Sequence, residues 1–421
     1  MRASKGQLCV IVLSAIILAF AFVCCVFFQS SPFCSEEGFG TDMKHRRAEV
    51  CCSFTGVNPF HVWCQDVHVD GFAPMSRPDR PRVEKRPGDL VVHSYPVWHT
   101  IWFFFYGLLP ESACVGIVSF LFGLGLSLVL ARYWHDSRMK GISPLLVITF
   151  VLAMSVDLFI NCFFLLNYGV LLAAAIVLMI AFLERGSQVF AGICWAFVMI
   201  KPQVGLLLFF PLLFARKYKA ILSAIVTCLV LTVVMSVYYH ESPVALILQI
   251  PQIGAPYQNS VLVNKVLAPV FGKFGQYVLM AGFGFVCAYA CYKTRQREDW
   301  LVKIAPVMLC FPMWTYSNGA DAVVKGFFWY ALVAFRLFDA RDNVMRKWWV
   351  AYAIYSCLTV LFMSIWNNLC NTGVFESAGR GWIYQIIAFA HLGVSFLCLY
   401  IIDRESIWPS NQKHAERVTL A

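Results

Sequence analysis

Apolar runs of about 17 to 25 residues recur from one end of this chain to the other, each long enough to cross a hydrocarbon core. Buried helices of soluble proteins are shorter, so the runs read as membrane spans. Composition agrees. Charged residues make up 13% of the chain, against about 25% in a soluble protein. The fold class that follows is an all-α polytopic membrane protein.

Lysines and arginines set the orientation. Short basic connections lie at Arg132 to Lys140, Glu184-Arg185, Arg216 to Lys219, Lys293 to Arg297 and Arg341 to Lys347. The alternate connections are poor in both residues: Asp157 to Gly169, His240 to Gly272, Thr315 to Gly326 and Asn367 to Arg380. The first run, Leu8 to Phe28, exceeds the length of a signal-peptide core, and no small-x-small site precedes Gln29. It reads as a retained span. One topology satisfies all of this: both termini inside and about twelve crossings. Val189–Ile200 and Val204–Phe214 are short and form a bent pair in this reading. Residues 1–421 then make one integral membrane domain, with 29–97 as its first extracytoplasmic loop.

That loop lies outside yet holds Lys44, Arg46, Arg47, Arg77, Arg80, Arg82, Lys85 and Arg86. Long translocated loops escape the orientation rule. Most of these charges read as a solvated, proline-rich linker from Pro74 to Pro87. Lys44, His45, Arg46 and Arg47 differ, because they stand beside Asp42. A carboxylate at the membrane face can take a proton from a hydroxyl while neighbouring cations hold a lipid-linked phosphate. The loop is too short and too charged to bury much core of its own and is expected to pack on the bundle. Tyr95 to Pro110 is rich in aromatics and is expected to form one outer helix at the interface.

Polar groups inside apolar sequence need a reason. Lys201, followed by Pro202-Gln203, sits between two apolar stretches, and a lysine there must reach water, a carboxylate or a phosphate. Pro202 also frees backbone groups that only a cavity or a neighbour can satisfy. Three outer segments carry amides and carboxylates suited to sugar hydroxyls: Asp157, Asn161, Asn167 and Tyr168; Gln252, Gln258, Asn259, Ser260 and Asn264; Tyr316, Ser317, Asn318 and Asp321.

Most of the 17 cysteines fall inside apolar runs, where a thiol behaves as a small hydrophobe. Cys34, Cys51, Cys52 and Cys64 share the outer loop, where an oxidising compartment allows a disulfide. No HExxH, Walker loop or CxxC pair occurs, and the outer histidines offer no ligand pair at helical spacing, so no metal site is expected. The formal charge of +10 is membrane anchoring plus the outer loop. No soluble module is left to carry nucleic acid.

The order of short elements is more specific than any one of them. A span is followed by an outer aspartate, Asp42, then Gly56-Val57-Asn58-Pro59-Phe60, then Tyr95-Pro96 opening the aromatic segment that ends at Leu108-Leu109-Pro110. A charged turn, Glu184-Arg185-Gly186, precedes Lys201-Pro202-Gln203. The basic turn Arg216 to Lys219 and the outer Gln258-Asn259-Ser260 follow. From Leu8 to about Ala334 this order resembles glycosyltransferase family 87, integral-membrane enzymes of the C-type fold that use polyprenyl-phosphate mannose.

The resemblance implies a C-type bundle of about 11 to 12 transmembrane helices with an outer-face catalytic loop. It implies inverting transfer of a sugar, mannose by family default, from a polyprenyl-phosphate donor to a lipid or glycan acceptor, without metal, nucleotide or other cofactor. Asp42 becomes the general base. Arg46, Arg47 and Lys201 hold the donor phosphate as charge grows on it. Asn58, Tyr95, Gln203, Gln258, Asn259 and Asn318 contact substrate. The partners are the donor, the acceptor and membrane lipids, in a bacterial inner membrane. Three positions depart from the family. Tyr168-Gly169-Val170 lacks its Gly-Gln, Val97 replaces a second proline, and Trp314 to Asn318 lacks its histidine. The last two bear on sugar specificity more than on reaction type. A transporter or flippase of lipid-linked saccharides, or a non-enzymatic assembly partner, would share the many spans. Transporters often show internal repeats and midplane ion sites, and the sequence shows neither.

Overall fold

A computed structural model describes residues 40–65, 67–75, 88–254, 280–314, 322–339, 347–356 and 393–402, with a few single positions besides. The first apolar run Leu8–Phe28, Cys34, the basic residues from Arg77 to Arg86 and the connection Asn367 to Arg380 lie outside the described residues.

The segment read as the first extracytoplasmic loop opens with helices α1 (Thr41–Phe54) and α2 (Pro59–Gln65). Strands β1 (Phe72–Pro74) and β2 (Leu90–Val92) then pair in parallel, Phe72 opposite Leu90 and Pro74 opposite Val92. Against expectation, this loop has a small core of its own, in which Ala48, Cys52, Val62 and Val92 are buried together. Helix α1 supplies two of those residues from one face. Its opposite residues, Met43 and Val50, belong to the main core, so the loop is glued to the bundle as well. The expected linker starts later than Pro74, which ends β1. Cys51 and Cys52 are not in disulfides; their thiols donate to the carbonyls of Tyr106 and Val57.

The aromatic segment is two short helices rather than one, α3 (Trp98–Trp102) and α4 (Phe105–Leu108). Trp98, Phe103 and Tyr106 are buried, so the segment breaks to send rings inward instead of lying flat as an anchor.

The bundle follows. Helices α5 (Glu111–Met139), α6 (Pro144–Leu165) and α7 (Gly169–Glu184) run back and forth. After α8 (Gln188–Val198), the chain turns at Lys201 into the short α9 (Pro202–Gly205) and α10 (Phe209–Phe214). It continues through α11 (Tyr218–Tyr239) and α12 (Pro243–Gly254). Helix α13 (280–294), α14 (Trp300–Trp314) and α15 (Ala322–Asp339) complete the labelled elements. Helices α5 and α11 are long and apolar enough to cross a membrane by length and composition. On α11, Leu222, Ile225, Val226, Leu229 and Val233 are exposed along one side, a surface suited to lipid.

Helix α7 is apolar all round and buried nearly throughout, packed on α5, α8 and α15. Helices α8 and α11 approach closely at Gly192, where a Cβ would stand 2.4 Å from the Ala220 carbonyl oxygen. At the far end of α5 and α7 from the loop, Arg132 reaches both Asp136 and Glu184. From that tie α7 runs back about 22 Å to Gly169 and α5 about 31 Å to Glu111. Helix α1 meets the corner before α7, where Asn167 bonds Asp42.

Several helix ends close in the same way. An amide two or three residues past the helix reaches back five residues, and the residue just before it is left-handed. Gly141 and Gly186 fill that position after α5 and α7, but Leu166, Arg216 and His240 fill it elsewhere, with φ of 51°, 58° and 55°. Helix α6 runs through Asp157 and Asn161 to Leu165, so the expected long connection shrinks to Leu166, Asn167 and Tyr168. The side chains of Asp157 and Asn161 lie outside the described residues.

Candidate active site

Helix α1 begins at Gly40, with φ of 77°, and places Asp42 in its first turn, where the helix dipole favours a carboxylate. Spacings of four and three put Asp42, Arg46 and Glu49 on one stripe. Arg46 is buried, bonds Glu49 and lies 3.8 Å over the Tyr95 ring. Its Nη1 is 3.3 Å from His93 Nδ1, and His93 stacks on Trp63. Glu49 is only 2% exposed. Its two oxygens lie 3.7 Å from His93 Nδ1 and His99 Nδ1 respectively. His99 Nε2 is 2.8 Å from the Tyr168 hydroxyl, which donates to Tyr106 at 3.4 Å.

Burial governs the electrostatics of this cluster. It pushes the Glu49 carboxyl up to about 8; Asp42 adds to the shift and Arg46 opposes it. It drives His93 and His99 well below the ordinary histidine range, and the Arg46 charge drives them further. Burial also works against the Arg46 charge, but Glu49, Tyr95 and Asp42 outweigh it and hold the guanidinium above its ordinary range.

The α6–α7 corner supplies the centre. The Asn167 amide N–H group donates to Asp42 Oδ2, and its carbonyl oxygen accepts from Lys201 Nζ at 2.7 Å. Only this orientation serves both neighbours, since an ammonium can only donate and a carboxylate accepts. Lys201 is 1% exposed, at the break between α8 and α9. Pro202 sits at the first position of α9, where its missing N–H costs nothing. Across the break, Trp195 Nε1 donates to the Gly205 carbonyl at 2.7 Å, satisfying a group the broken helix leaves open.

Asp42, Arg46, Tyr95 and Lys201 therefore converge. Arg47 does not. One residue on along a helix it turns away, and its Nη2 donates to the Leu109 carbonyl at 3.3 Å. A loop in place of the helix would have let both arginines face one phosphate. Asn58 is occupied elsewhere. Its Oδ1 caps α2 through Phe60 N, and its Nδ2 donates to Glu241 at 2.9 Å and to Gln249 at 3.0 Å. Gln203 is half-buried on α9. Gln258, Asn259 and Asn318 lie outside the described residues. Glu49, His93 and His99 escaped sequence reasoning, and Asn167 was legible only as one of many outer amides. The spacing of Glu49 from Asp42 and Arg46 was the available signal.

Beside Lys201 lies a cavity of about 540 Å³, almost wholly apolar. Met199 and Pro202 line it next to the lysine, with Trp98, Cys228, Thr232 and Pro251 around it. Among the described residues no group of three His, Cys, Asp or Glu is placed to hold a metal.

No curated protein and no solved structure matches the chain. A family model does, over residues 93–317, more than half of the 421. The matched stretch takes in Tyr95, the Asn167 corner, Lys201 and the lining of the apolar cavity, while α1 precedes it. With its all-α membrane architecture, the chain belongs to glycosyltransferase family 87.

Proposed function

We propose that this glycosyltransferase moves a hexose such as mannose from a polyprenyl-phosphate donor to a lipid or glycan acceptor, at the outer face of a bacterial inner membrane and with inversion. One observation carries the reading. A carboxylate and a buried ammonium meet at one amide, next to an apolar cavity of about 540 Å³. The polyprenyl chain would occupy that cavity, leaving its phosphate at Lys201 and Arg46. The acceptor hydroxyl gives its proton to Asp42 as its oxygen bonds to the sugar's anomeric carbon. The bond from that carbon to the phosphate oxygen breaks on the opposite face, its electron pair stays with the phosphate, and the two cations stabilise the growing charge. In this reading Tyr95 and Gln203 border the sugar, joined by Gln258, Asn259 and Asn318. Asn58 holds the loop to the bundle, and Arg47 anchors α1 to the start of α5. The chain is a single multi-pass domain with both termini cytoplasmic and residues 29–97 outside.

The test is transfer of radiolabelled sugar from polyprenyl-phosphate mannose, and from a panel of other polyprenyl-phosphate hexoses and pentoses. Membranes would carry wild type or Asp42→Asn at matched expression. Label in a new glycolipid with wild type, and at least about a hundredfold less with the variant, supports the reading. Equal label in both removes Asp42 as the base.

A further inference from the structure

We infer that Asn167 is a positioning residue for the transfer reaction: its amide stands between Asp42 and Lys201 and keeps a base and a cation from neutralising one another. The inference rests on the reading of Asp42 as base and Lys201 as phosphate ligand.

The geometry has three parts. First, both ends of the amide are engaged. Nδ2 donates to Asp42 Oδ2 and Oδ1 accepts from Lys201 Nζ, with Asn167 itself 4% exposed. Second, the residue is held there at a conformational cost. Leu166 occupies the left-handed position that usually falls to glycine, φ 51°, and a leucine there gives up about 1 to 2 kcal/mol. The turn is fastened by Asn167 N to the Cys162 carbonyl at 2.9 Å, and by the Cys162 thiol to the Asn167 carbonyl at 2.8 Å. Leu166 is itself wholly buried. Backbone in such a region persists only where its surroundings over-determine it. Third, the alternative is unfavourable for chemistry. With Lys201 almost fully buried, its ammonium must find an anion or a dipole. Remove the amide and Asp42, bonded to its other end, is a carboxylate on which the ammonium can close. A direct ion pair would lower the basicity of the carboxylate that has to take the acceptor's proton. It would also occupy the charge that has to meet the phosphate. A neutral amide orients both groups and quenches neither. Asp42 is otherwise faced by Arg46 and Glu49 on its own helix, and Arg46 also bonds Glu49 and lies over the Tyr95 ring.

A merely structural asparagine and a positioning one respond oppositely to the isosteric change. If Asn167 only fills space, Asn167→Asp keeps the shape and is tolerated better than Asn167→Ala. If it separates charges, Asn167→Asp is the worse variant, because a second carboxylate captures Lys201 and repels Asp42. The experiment measures kcat and donor KM on full-length protein in lipid nanodiscs, using the donor from the panel that wild type accepts, with unfolding midpoints recorded alongside. The expected result is kcat lower by at least tenfold in Asn167→Ala and by a further tenfold in Asn167→Asp, with KM within threefold of wild type. Asn167→Asp equal to or better than Asn167→Ala overturns the inference. Should Asn167→Asp not assemble, Asn167→Ser decides, since a hydroxyl reaches only one neighbour: a fall in kcat is expected, and a change in KM alone overturns the inference. Asp42→Asn serves as the reference. If it transfers sugar normally, or if wild type is inert with the whole panel, the underlying reading fails. If it is inactive while the Asn167 variants remain active, only the inference fails.

Discussion

Leu166 and Gly40 meet beside the site: a Cβ on Gly40 would stand 3.4 Å from Leu166 Cδ1. The left-handed corner after α6 thus abuts the left-handed residue that starts α1. Gly40→Ala meets that leucine and a φ of 77° together. The expected outcome is a loss of about 1 to 2 kcal/mol of stability, with transfer reduced because Asp42 lies two residues on. Thermal unfolding and kcat measured on the same preparation check it.

Stability should depend on pH through the buried cluster. Glu49 titrates near 8 in the folded chain, above its ordinary value, so its contribution is present in full at low pH and is lost as pH rises towards about 8. His93 and His99 are lowered, so folding excludes their protons, and stability is lost as pH falls below about 6.5. Opposing slopes give a maximum near about pH 6.5. Glu49→Gln should turn the alkaline side of that maximum into a plateau. Unfolding midpoints from about pH 5 to 9 would show it, and an unchanged alkaline slope would count against a buried, shifted Glu49.

The two arginines should separate sharply. Arg46→Ala leaves buried Glu49 without its hydrogen-bond donor and removes the guanidinium from the Tyr95 face, a loss of about 2 to 4 kcal/mol. Arg47→Ala removes one half-buried bond to the Leu109 carbonyl and should cost about 1 kcal/mol, with transfer little changed. Equal effects on transfer at equal stability would restore the symmetric pair suggested by the sequence.

Asn58→Ala should act on stability before catalysis. It deletes the cap of α2 and leaves Glu241 and Gln249 short of a donor, about 1 to 3 kcal/mol together. A raised donor KM with unchanged stability would instead put Asn58 on the substrate.

Cys228→Trp fills part of the apolar cavity. Expected is a fall of about tenfold or more in kcat/KM for a long polyprenyl donor, and a much smaller fall for a short-chain analogue that leaves most of the cavity empty. The comparison between the two donors is the measurement.

The membrane class and the helical bundle were legible because long apolar runs leave a chain few choices. Asp42 and Lys201 were legible because each is a charge where a charge is costly. What joins them was not. Asn167 sits 125 residues from Asp42 and 34 from Lys201 in sequence, and only the folded corner brings the three together. Glu49 stayed hidden for a different reason. Read as a loop, residues 41–54 are a solvated cationic run; read as a helix, they carry an acid, a base and an acid on one stripe. Periodicity could have shown it, but the segment lacks an apolar face clean enough to declare itself helical. The aromatic segment misled through composition, since tryptophan and phenylalanine suit an interface and a core equally well.

The Asn167 bridge also gathers three separate stretches of the chain at one point: Asp42 from the first turn of α1, Asn167 from the corner after α6, and Lys201 from the break between α8 and α9. Apolar contacts between helices tolerate sliding, whereas hydrogen bonds weaken steeply once their angles open. A shift of any one stretch is therefore felt by the other two, and the register of α1 against the bundle is fixed at the same point that assembles the site.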